Sequence, residues 1–455
     1  MSPVRCACFS MAAHAALNDY HSTQLLMKTR SMKTSFLAVA ALLAAAPAHA
    51  ISLGDAAGMA LQNDPRMRAA GDAVQASTAQ VDVARAGYLP SATLTANTGL
   101  SRYYLSPALA GSIPIDGPLN PNAVGLQASQ PLYTGGLTSA TLASSKSQLE
   151  GSQQSELNTR QQLLLAAASA YLDVERDRTV IDLASANVAA LQQELSDTQK
   201  RYAAGEATRT DTSQAQARLA EAQANLKRVS AQEKMSEATF LRVVGVIPDQ
   251  LGSGWPAPEV PTTLDAALAS AGVTPAVLAA DAQRRSAEAQ IDAARAEYWP
   301  KLSLNGSATA QGDSNVAADR YKDWTVQIKA TLPLYSGGAT RARVSAAHAQ
   351  ASQAAANLDD ARHAAIESIT QSWAMLQASD ELIRAYQADV DASTLALDDV
   401  RKELGVGTRT TKDVLDAERD KVSAQVNLAT SQHDRSVSAF QLLAACGKLR
   451  LEDVK

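Results

Sequence analysis

The sequence predicts a mainly α-helical fold with a β-barrel part set in a membrane, built by internal duplication. Three observations carry that prediction. Gln130-Pro131-Leu132-Tyr133-Thr134-Gly135-Gly136 recurs as Leu332-Pro333-Leu334-Tyr335-Ser336-Gly337-Gly338, with each Pro, Tyr and final Gly 202 positions from its twin. Asp211 and Asp413 keep that offset, as do Asn225-Leu226 and Asn427-Leu428; a register unbroken over roughly a hundred residues marks a tandem repeat. Each P-L-Y-x-G-G closes a run of period 2 and opens a long Ala-, Gln- and Leu-rich run of period 3.6. Aromatic residues sit at both ends of the alternating runs, as they do at the two interfaces of a membrane barrel.

The length of 455 residues would suit about three domains, but the duplication argues for one body of two similar halves. Charged residues make up 19% and the net charge is -5, which argues against a general nucleic-acid binder. Residues 1–50 read as a leader outside the fold. Lys28, Arg30 and Lys33 are its basic region, Phe36 to Ala46 its short apolar core and Ala48-His49-Ala50 its cleavage site. Met32 or Met27 suits that leader better as a start than Met1. The apolar run falls short of the ~20 residues of a membrane span, and no Cys follows the cleavage site to carry a lipid. Loss of the leader takes the net charge from -5 to -8 and removes Cys6 and Cys8. Cys446 then stands alone, as a packing residue with no intrachain disulfide.

The first half, 51–247, opens with Leu53, Ala56, Ala57, Ala60 and Leu61 on one helical face, broken at Asn63-Asp64-Pro65. A second helix runs to Tyr88. Ala84-Arg85-Ala86-Gly87-Tyr88-Leu89-Pro90 has its twin in Ala294-Arg295-Ala296-Glu297-Tyr298-Trp299-Pro300 at an offset of 210 rather than 202. Eight extra residues in the first copy therefore lie before its P-L-Y-x-G-G, in a Pro/Gly/Ser-rich loop over 106–122. Strands are expected at about 91–105, 123–133, 301–311 and 321–335, each alternating apolar with polar residues. Tyr103, Tyr104, Tyr321 and Trp324 fall at one end of these strands, and Tyr88, Tyr133, Trp299 and Tyr335 at the other. A soluble sandwich edge would show the same alternation. The leader, the aromatic ends and the lack of a helix hydrophobic enough to span favour a barrel with lipid outside and a watery lumen. Four strands cannot close, and open edges are not tolerated in lipid, so the barrel is shared between protomers and contacts outer-membrane lipid.

Helices are expected at about 137–202 and 208–246, broken at Gly205, and at about 339–404 and 408–445, broken at Gly405 and Gly407. The longer ones would reach about 100 Å. Each return helix is short by the length of the helix before the barrel, so the two stacked end to end would match the long one. Small apolar residues allow close packing and leave little to fill a wide core. That suits a hollow wall one helix thick; the alternative is an ordinary coiled-coil bundle, whose a/d repeat is poorly kept here. The Pro-rich stretch 248–262 links the halves, and 263–455 repeats the first, Leu264, Ala267, Leu268 and Pro275 re-enacting its opening.

No G-x-S-x-G, H-E-x-x-H, Walker A or C-x-x-C occurs, and after the leader only His348, His363 and His433 remain. His348 and His363 are four helical turns apart, too far for one metal. The sequence therefore implies no enzyme and no cofactor. The repeat, its two border motifs, and Val406-Gly407-Thr408-Arg409-Thr410 followed by Asp413-Val414-Leu415-Asp416-Ala417 resemble the TolC-like outer membrane efflux proteins (outer membrane factors) over essentially all of 51–455. The resemblance implies a homotrimer in the outer membrane of a Gram-negative bacterium, each protomer giving four strands to a twelve-stranded β-barrel continued by a long α-helical barrel through the periplasm. It implies a passive exit duct, for multidrug efflux or type I secretion, that docks to a periplasmic adaptor and an inner-membrane pump or ABC transporter.

Two regions would carry that function. The turns Ala204-Gly205-Glu206 and Leu404 to Thr408, with Gly205, Glu206, Gly405, Val406, Gly407 and Thr408, correspond to the family's adaptor-contacting tip, although Glu206 stands where many relatives have Leu. Gly allows the tight reversal, and Thr208, Thr210, Thr408 and Thr410 are candidate caps. Asp389, Asp391, Asp398 and Asp399 cluster before the second tip. Asp391 and Asp398, one heptad apart, share a helix face; threefold symmetry would make rings of carboxylates that favour cations. By its spacing to V-G-T-R-T, Asp398 matches an aspartate of the family's periplasmic aperture, and Tyr386 and Arg384 fall where the family places constriction hydrogen bonds. An autonomous porin or a soluble periplasmic helical scaffold are the other readings.

Overall fold

The structure, a computed structural model, describes residues 50–105, 115–252, 258–315 and 318–454. The leader, but for Ala50, and Trp255 of the linker lie outside the described residues. Ser52–Lys455 forms one unit.

Helix α1 (Leu53–Asn63) starts at Ser52, whose hydroxyl accepts the Asp55 amide at 3.1 Å while the Asp55 carboxylate accepts the Ser52 amide. Asp64 ends it and caps α2 (Pro65–Ala86), accepting the Arg66 amide at 2.8 Å. Four strands follow: β1 (Ser91–Thr98), β2 (Ser101–Leu105), β3 (Ile115–Leu119) and β4 (Asn122–Tyr133). Helix α3 (Leu137–Ala203) and its return α4 (Arg209–Val244) complete the first half. The second half comprises α5 (Leu264–Leu268), α6 (Pro275–Arg295), β5 (Lys301–Asn315), β6 (Ala318–Thr331), α7 (Ala339–Gly405) and α8 (Thr411–Ala445), with single 3-10 turns at Ala271–Val273, Ala296–Tyr298 and Leu451–Val454.

The main sheet is antiparallel in the order β1-β4-β5-β6, and β2 with β3 forms a separate ribbon. Part of the stretch read as a loop over 106–122 is therefore strand: Tyr103 pairs with Gly117 and Leu105 with Ile115. The eight-residue insertion lengthens one hairpin by its own ladder, which satisfies backbone groups that a bare loop would leave to water. Residues 106–114 lie outside the described residues. β5 runs on to Asn315 and β6 starts at Ala318, so that hairpin is tighter than the alternation alone suggested. β6 also stops at Thr331, short of Tyr335, whereas β4 continues through Pro131 to Tyr133, where β5 pairs with it.

Helix α3 packs along α2 and α4 on one flank and along α6 and α8 on the other; α7 packs on α6 and α8. The 22 and 36 residues of α2 and α4 run beside the 67 of α3, and the 21 and 35 of α6 and α8 beside the 67 of α7. Larger side chains gather where α1 meets α3 and α4, around Leu163, Leu164, Tyr171, Phe240 and Val244, and where α5 meets α7 and α8, around Ile369, Leu376, Leu442 and Cys446. Elsewhere the buried positions are mostly Ala and Ser, which permit close helix approach. One stretch, Leu264–Tyr298, reaches a mean hydropathy of 1.2, so a helix apolar enough to span by composition does exist. It is interrupted at Ser270–Thr274, and α6 lies between α3 and α7.

Candidate functional site

The two helix reversals are built alike. In the first, Gly205 takes φ +80°, its amide bonding the Tyr202 carbonyl at 3.0 Å and the Glu206 amide bonding that of Arg201 at 2.8 Å. In the second, Gly407 takes φ +82°, its amide reaching Leu404 and the Thr408 amide reaching Glu403, both at 3.0 Å. This double bond pattern closes a helix end around one left-handed residue. Gly405 does not break its helix: it is the last residue of α7, and Gly407 alone makes the turn. Thr208 and Thr410 cap the return helices, each in a reciprocal pair with Asp211 or Asp413. Thr210 instead lies inside α4, and the Thr408 hydroxyl donates to the Glu403 carbonyl at 3.0 Å. Glu206 and Val406 are exposed on the reversals.

Ion pairs hold the hairpins at defined heights. Arg201 bonds Glu194 at 3.1 Å and reaches Thr411 of α8; Arg218 of α4 bonds Asp416 of α8 at 3.0 Å. Arg401 reaches the buried Glu418 at 2.8 Å, and Asp380 accepts from Arg435 at 2.6 Å. Burial raises the Glu194 carboxyl above its ordinary value, against the pull of Arg201.

The acidic cluster near the second tip divides. Asp391 and Asp398 share one exposed face of α7 with Arg384, whereas the helical rotation turns Asp389 and Asp399 to other faces. The four carboxylates therefore do not form one site. Lys402, which the sequence analysis passed over, lies 2.5 Å from Asp398 and 3.2 Å from Asp399. Its spacing from Asp398 is the four-residue separation that marks such a pair in any helix. Arg384 bonds Glu381 at 2.6 Å and the Asp380 carbonyl, Asp391 accepts from Gln387 at 3.1 Å, and Tyr386 is half-buried.

One face of the sheet is apolar, and no protein covers it among the described residues. Leu94, Leu126, Ala308 and Trp324 stand opposite one another across all four strands. Leu94, Leu126, Trp324, Val326 and Ile328 are all exposed. The other face carries Thr93, Gln127, Ser307 and Thr325 in one row and Ser91, Ser129, Asn305 and Gln327 in another, with Ser129 donating to Asn305 at 2.8 Å. Of the aromatics, Tyr88, Tyr133, Trp299 and Tyr335 gather where strands meet helices, and Tyr321 lies toward the far end. Trp324 is placed differently from the sequence expectation: opposite Ala308, it sits midway along β6. The strand was expected over 321–335, but β6 spans Ala318–Thr331, which moves its middle to Trp324. Tyr103 and Tyr104 belong to β2, and their side chains lie outside the described residues.

A polar cluster of the helical part was invisible in the sequence. The nearly buried His433 ring of α8 lies between Asp173 of α3, 3.0 Å from Nε2, and Asp434, 2.9 Å from Nδ1. Arg176 joins Asp173 at 3.1 Å and Asp177 at 2.7 Å, and Asp177 accepts from Ser236 of α4 at 2.6 Å. Burial would lower the His433 pKa, but Asp173 and Asp434 outweigh it and the net shift is upward. Burial would raise Asp173, but His433 and Arg176 hold it below its ordinary value. Nδ1 is hydrogen-bonded to Asp434, whereas Nε2 meets Asp173 at ion-pair distance without a hydrogen bond, so it is the charge of the imidazolium that favours Asp173.

The sequence profile described as "Outer membrane efflux protein" matches residues 56–246 and 265–448, one span in each repeat. The chain is 30% identical over 404 residues to the outer membrane efflux protein BepC of Brucella suis, covering 87% of this chain and 85% of that one. It is 26% identical over 452 residues to the alkaline protease secretion protein AprF of Pseudomonas aeruginosa, covering 94% and 91%. Among solved structures, the outer membrane protein VceC of Vibrio cholerae superposes with a TM-score of 0.75 at 21% identity, over 87% of this chain and 96% of that one.

Proposed function

We propose, for a chain that belongs to the outer membrane efflux protein family, a passive exit duct that spans the outer membrane of a Gram-negative bacterium and extends into the periplasm. The observation that supports the reading best is the uncovered apolar face of a four-stranded sheet whose other face is polar and whose strands run directly into 67-residue helices. Such a face suits lipid, and the helices would carry the polar lumen about 100 Å further. The family consists of channel proteins of efflux and secretion systems. For this chain we extend that to a trimer with twelve strands, working with a periplasmic adaptor and an inner-membrane pump or ABC transporter, with no catalysis of its own and with residues 1–50 removed as its leader.

In this reading the tip residues Gly205, Glu206, Val406, Gly407 and Thr408 meet the adaptor, and Asp391 and Asp398 line the periplasmic aperture. Mass measurement of the protein extracted from outer membranes in mild detergent tests the assembly. About three protomer masses together with conductance in a planar bilayer would support the duct. A monomer released from membranes by carbonate would overturn it in favour of a soluble scaffold.

A further inference from the structure

Side chains of the main sheet sort onto two faces, and the charges sort with them. Cross-strand partners share a face, as do residues i and i+2 of one strand. From the row of Leu94, Leu126, Ala308 and Trp324, the apolar face runs toward the helices through Val326, Ile328 and Ala330 of β6 and meets no charge. In the other direction it passes Ala310 to reach Lys322, and then Gly312 to reach Arg320. Among the described side chains these two are the only charges on that face, and both are cations at the rim farthest from the helices. The polar face differs: Lys301, Asp323 and Lys329 carry both signs and are spread along the strands.

Arg320 and Lys322 are exposed, and among the described residues neither makes an ion pair or a hydrogen bond. They lie on β6, an edge strand, about 7 Å apart along it. The residues across from them, Gly312 and Ala310, are too small to cover them. A charge deep in hydrocarbon is costly, so two cations continuous with an apolar band fix the level at which hydrocarbon gives way to headgroups. Their aliphatic stems can lie on the band while the charged heads stay in polar surroundings. Bare water at that level would accept a neutral or acidic residue equally well. Two unpaired cations at this rim and none at the other match a leaflet whose headgroups are anionic. Thr98 and Asn122, in the Arg320 row, are polar too, as a headgroup level requires.

We propose that Arg320 and Lys322 hold the phosphate group of a lipid in the leaflet farthest from the helices, with its acyl chains on Trp324, Val326 and the apolar face beyond. The Arg320 guanidinium presents its planar fork to two phosphate oxygens, and the Lys322 ammonium adds a point charge beside it. The partner is a lipid and not a free anion because the cations stand on the apolar face, where only a molecule with both phosphate and hydrocarbon meets the whole surface. The proposal rests on the duct reading, which puts that leaflet at the cell surface, and adds to it a lipid class and the residues that select it.

The full chain, purified from outer membranes in mild detergent and freed of lipid, tests this by native mass spectrometry. The probes are lipid A with two phosphates, the same lipid A after enzymatic dephosphorylation, and inorganic phosphate. The double variant Arg320→Gln with Lys322→Gln should bind the phosphorylated lipid about thirtyfold more weakly, at about five- to sixfold for each basic residue. Arg320→Lys, which keeps the charge and loses the fork, should lose less than about tenfold. Lys301→Gln with Lys329→Gln, on the polar face, should bind as the unaltered chain does, and dephosphorylated lipid should not distinguish any of them. Equal binding of phosphorylated lipid by the first double variant and the unaltered chain, or an equal loss in the second, would overturn the site. Displacement by inorganic phosphate at a comparable concentration would show a free-anion site and overturn the lipid. In either case a mass of three protomers leaves the duct standing, whereas a protomer-sized protein released from membranes by carbonate overturns both.

Discussion

At the scale of single residues, the conformational role of Gly407 separates it from Gly405, although the sequence presents them as equivalent. Gly407 needs a left-handed backbone and has open space around it, so the penalty for Gly407→Ala is conformational, about 1–2 kcal/mol. Gly405 is helical, and Gly405→Ala gains up to about 1 kcal/mol of helix propensity. Chemical denaturation of the two variants should move the midpoint in opposite directions; a common direction would refute the assignment. His433 yields a second prediction. Its pKa is raised in the fold, so the stability it contributes is fully present below its ordinary value of about 6.5 and is lost as pH rises through the raised one. His433→Gln should therefore lower the melting temperature at pH 5.5, by the loss of a charge-assisted bond of about 1.5–3 kcal/mol, and much less at pH 8.5. A difference independent of pH would show that the ring acts only by packing. Asp173, held low, has the opposite dependence: its contribution is present above its ordinary value and fades only as pH falls through the lowered one.

At the scale of elements, what was legible followed from local pattern. The change from period 2 to period 3.6 at Pro131 and Pro333 located every strand-to-helix junction, and Asn63-Asp64-Pro65 located the first break, because proline and capping residues act on the nearest turn. The extent of β6, the ribbon of β2 and β3, and the His433 cluster were not legible. The bounds of β6 and of the β2–β3 ribbon are set by cross-strand pairing within local hairpins rather than by each strand's own alternation, and Asp173 and His433, distant in sequence, are brought together only by the packing of α3 on α8. Lys402 was legible by its spacing and alters the charge of the α7 tip. As an exposed pair, Asp398 and Lys402 contribute little to stability, but the ammonium offsets the carboxylate where a ring would form. Lys402→Ala should increase cation selectivity of the reconstituted channel and Asp398→Asn should decrease it, each read as a shift of reversal potential under a salt gradient. No shift in either variant would remove this face of α7 from the conducting path.

At the scale of the whole molecule, the order of helices and strands around the chain is one continuous sequence of neighbours: α2 and β1 at one flank, α3 and β4, then α6 and β5, then α7 and β6 at the other. Such a layer has two faces and no thick core, so its stability depends on what each face meets. Leu126 and Gln127 are adjacent in β4 and point to opposite faces, one among exposed apolar side chains and the other among hydroxyls and amides. If lipid covers the first and water the second, Leu126→Lys places an ammonium near mid-membrane at a penalty of about 2–4 kcal/mol per protomer, whereas Gln127→Lys adds a solvated charge. In a trimer the penalty recurs threefold around one ring, so Leu126→Lys should deplete the assembled protein from the outer membrane while Gln127→Lys leaves its amount unchanged. Quantitative blotting of membrane fractions compares the two. Equal tolerance of both would mean that neither face meets hydrocarbon, and the sheet would have to be covered by protein instead.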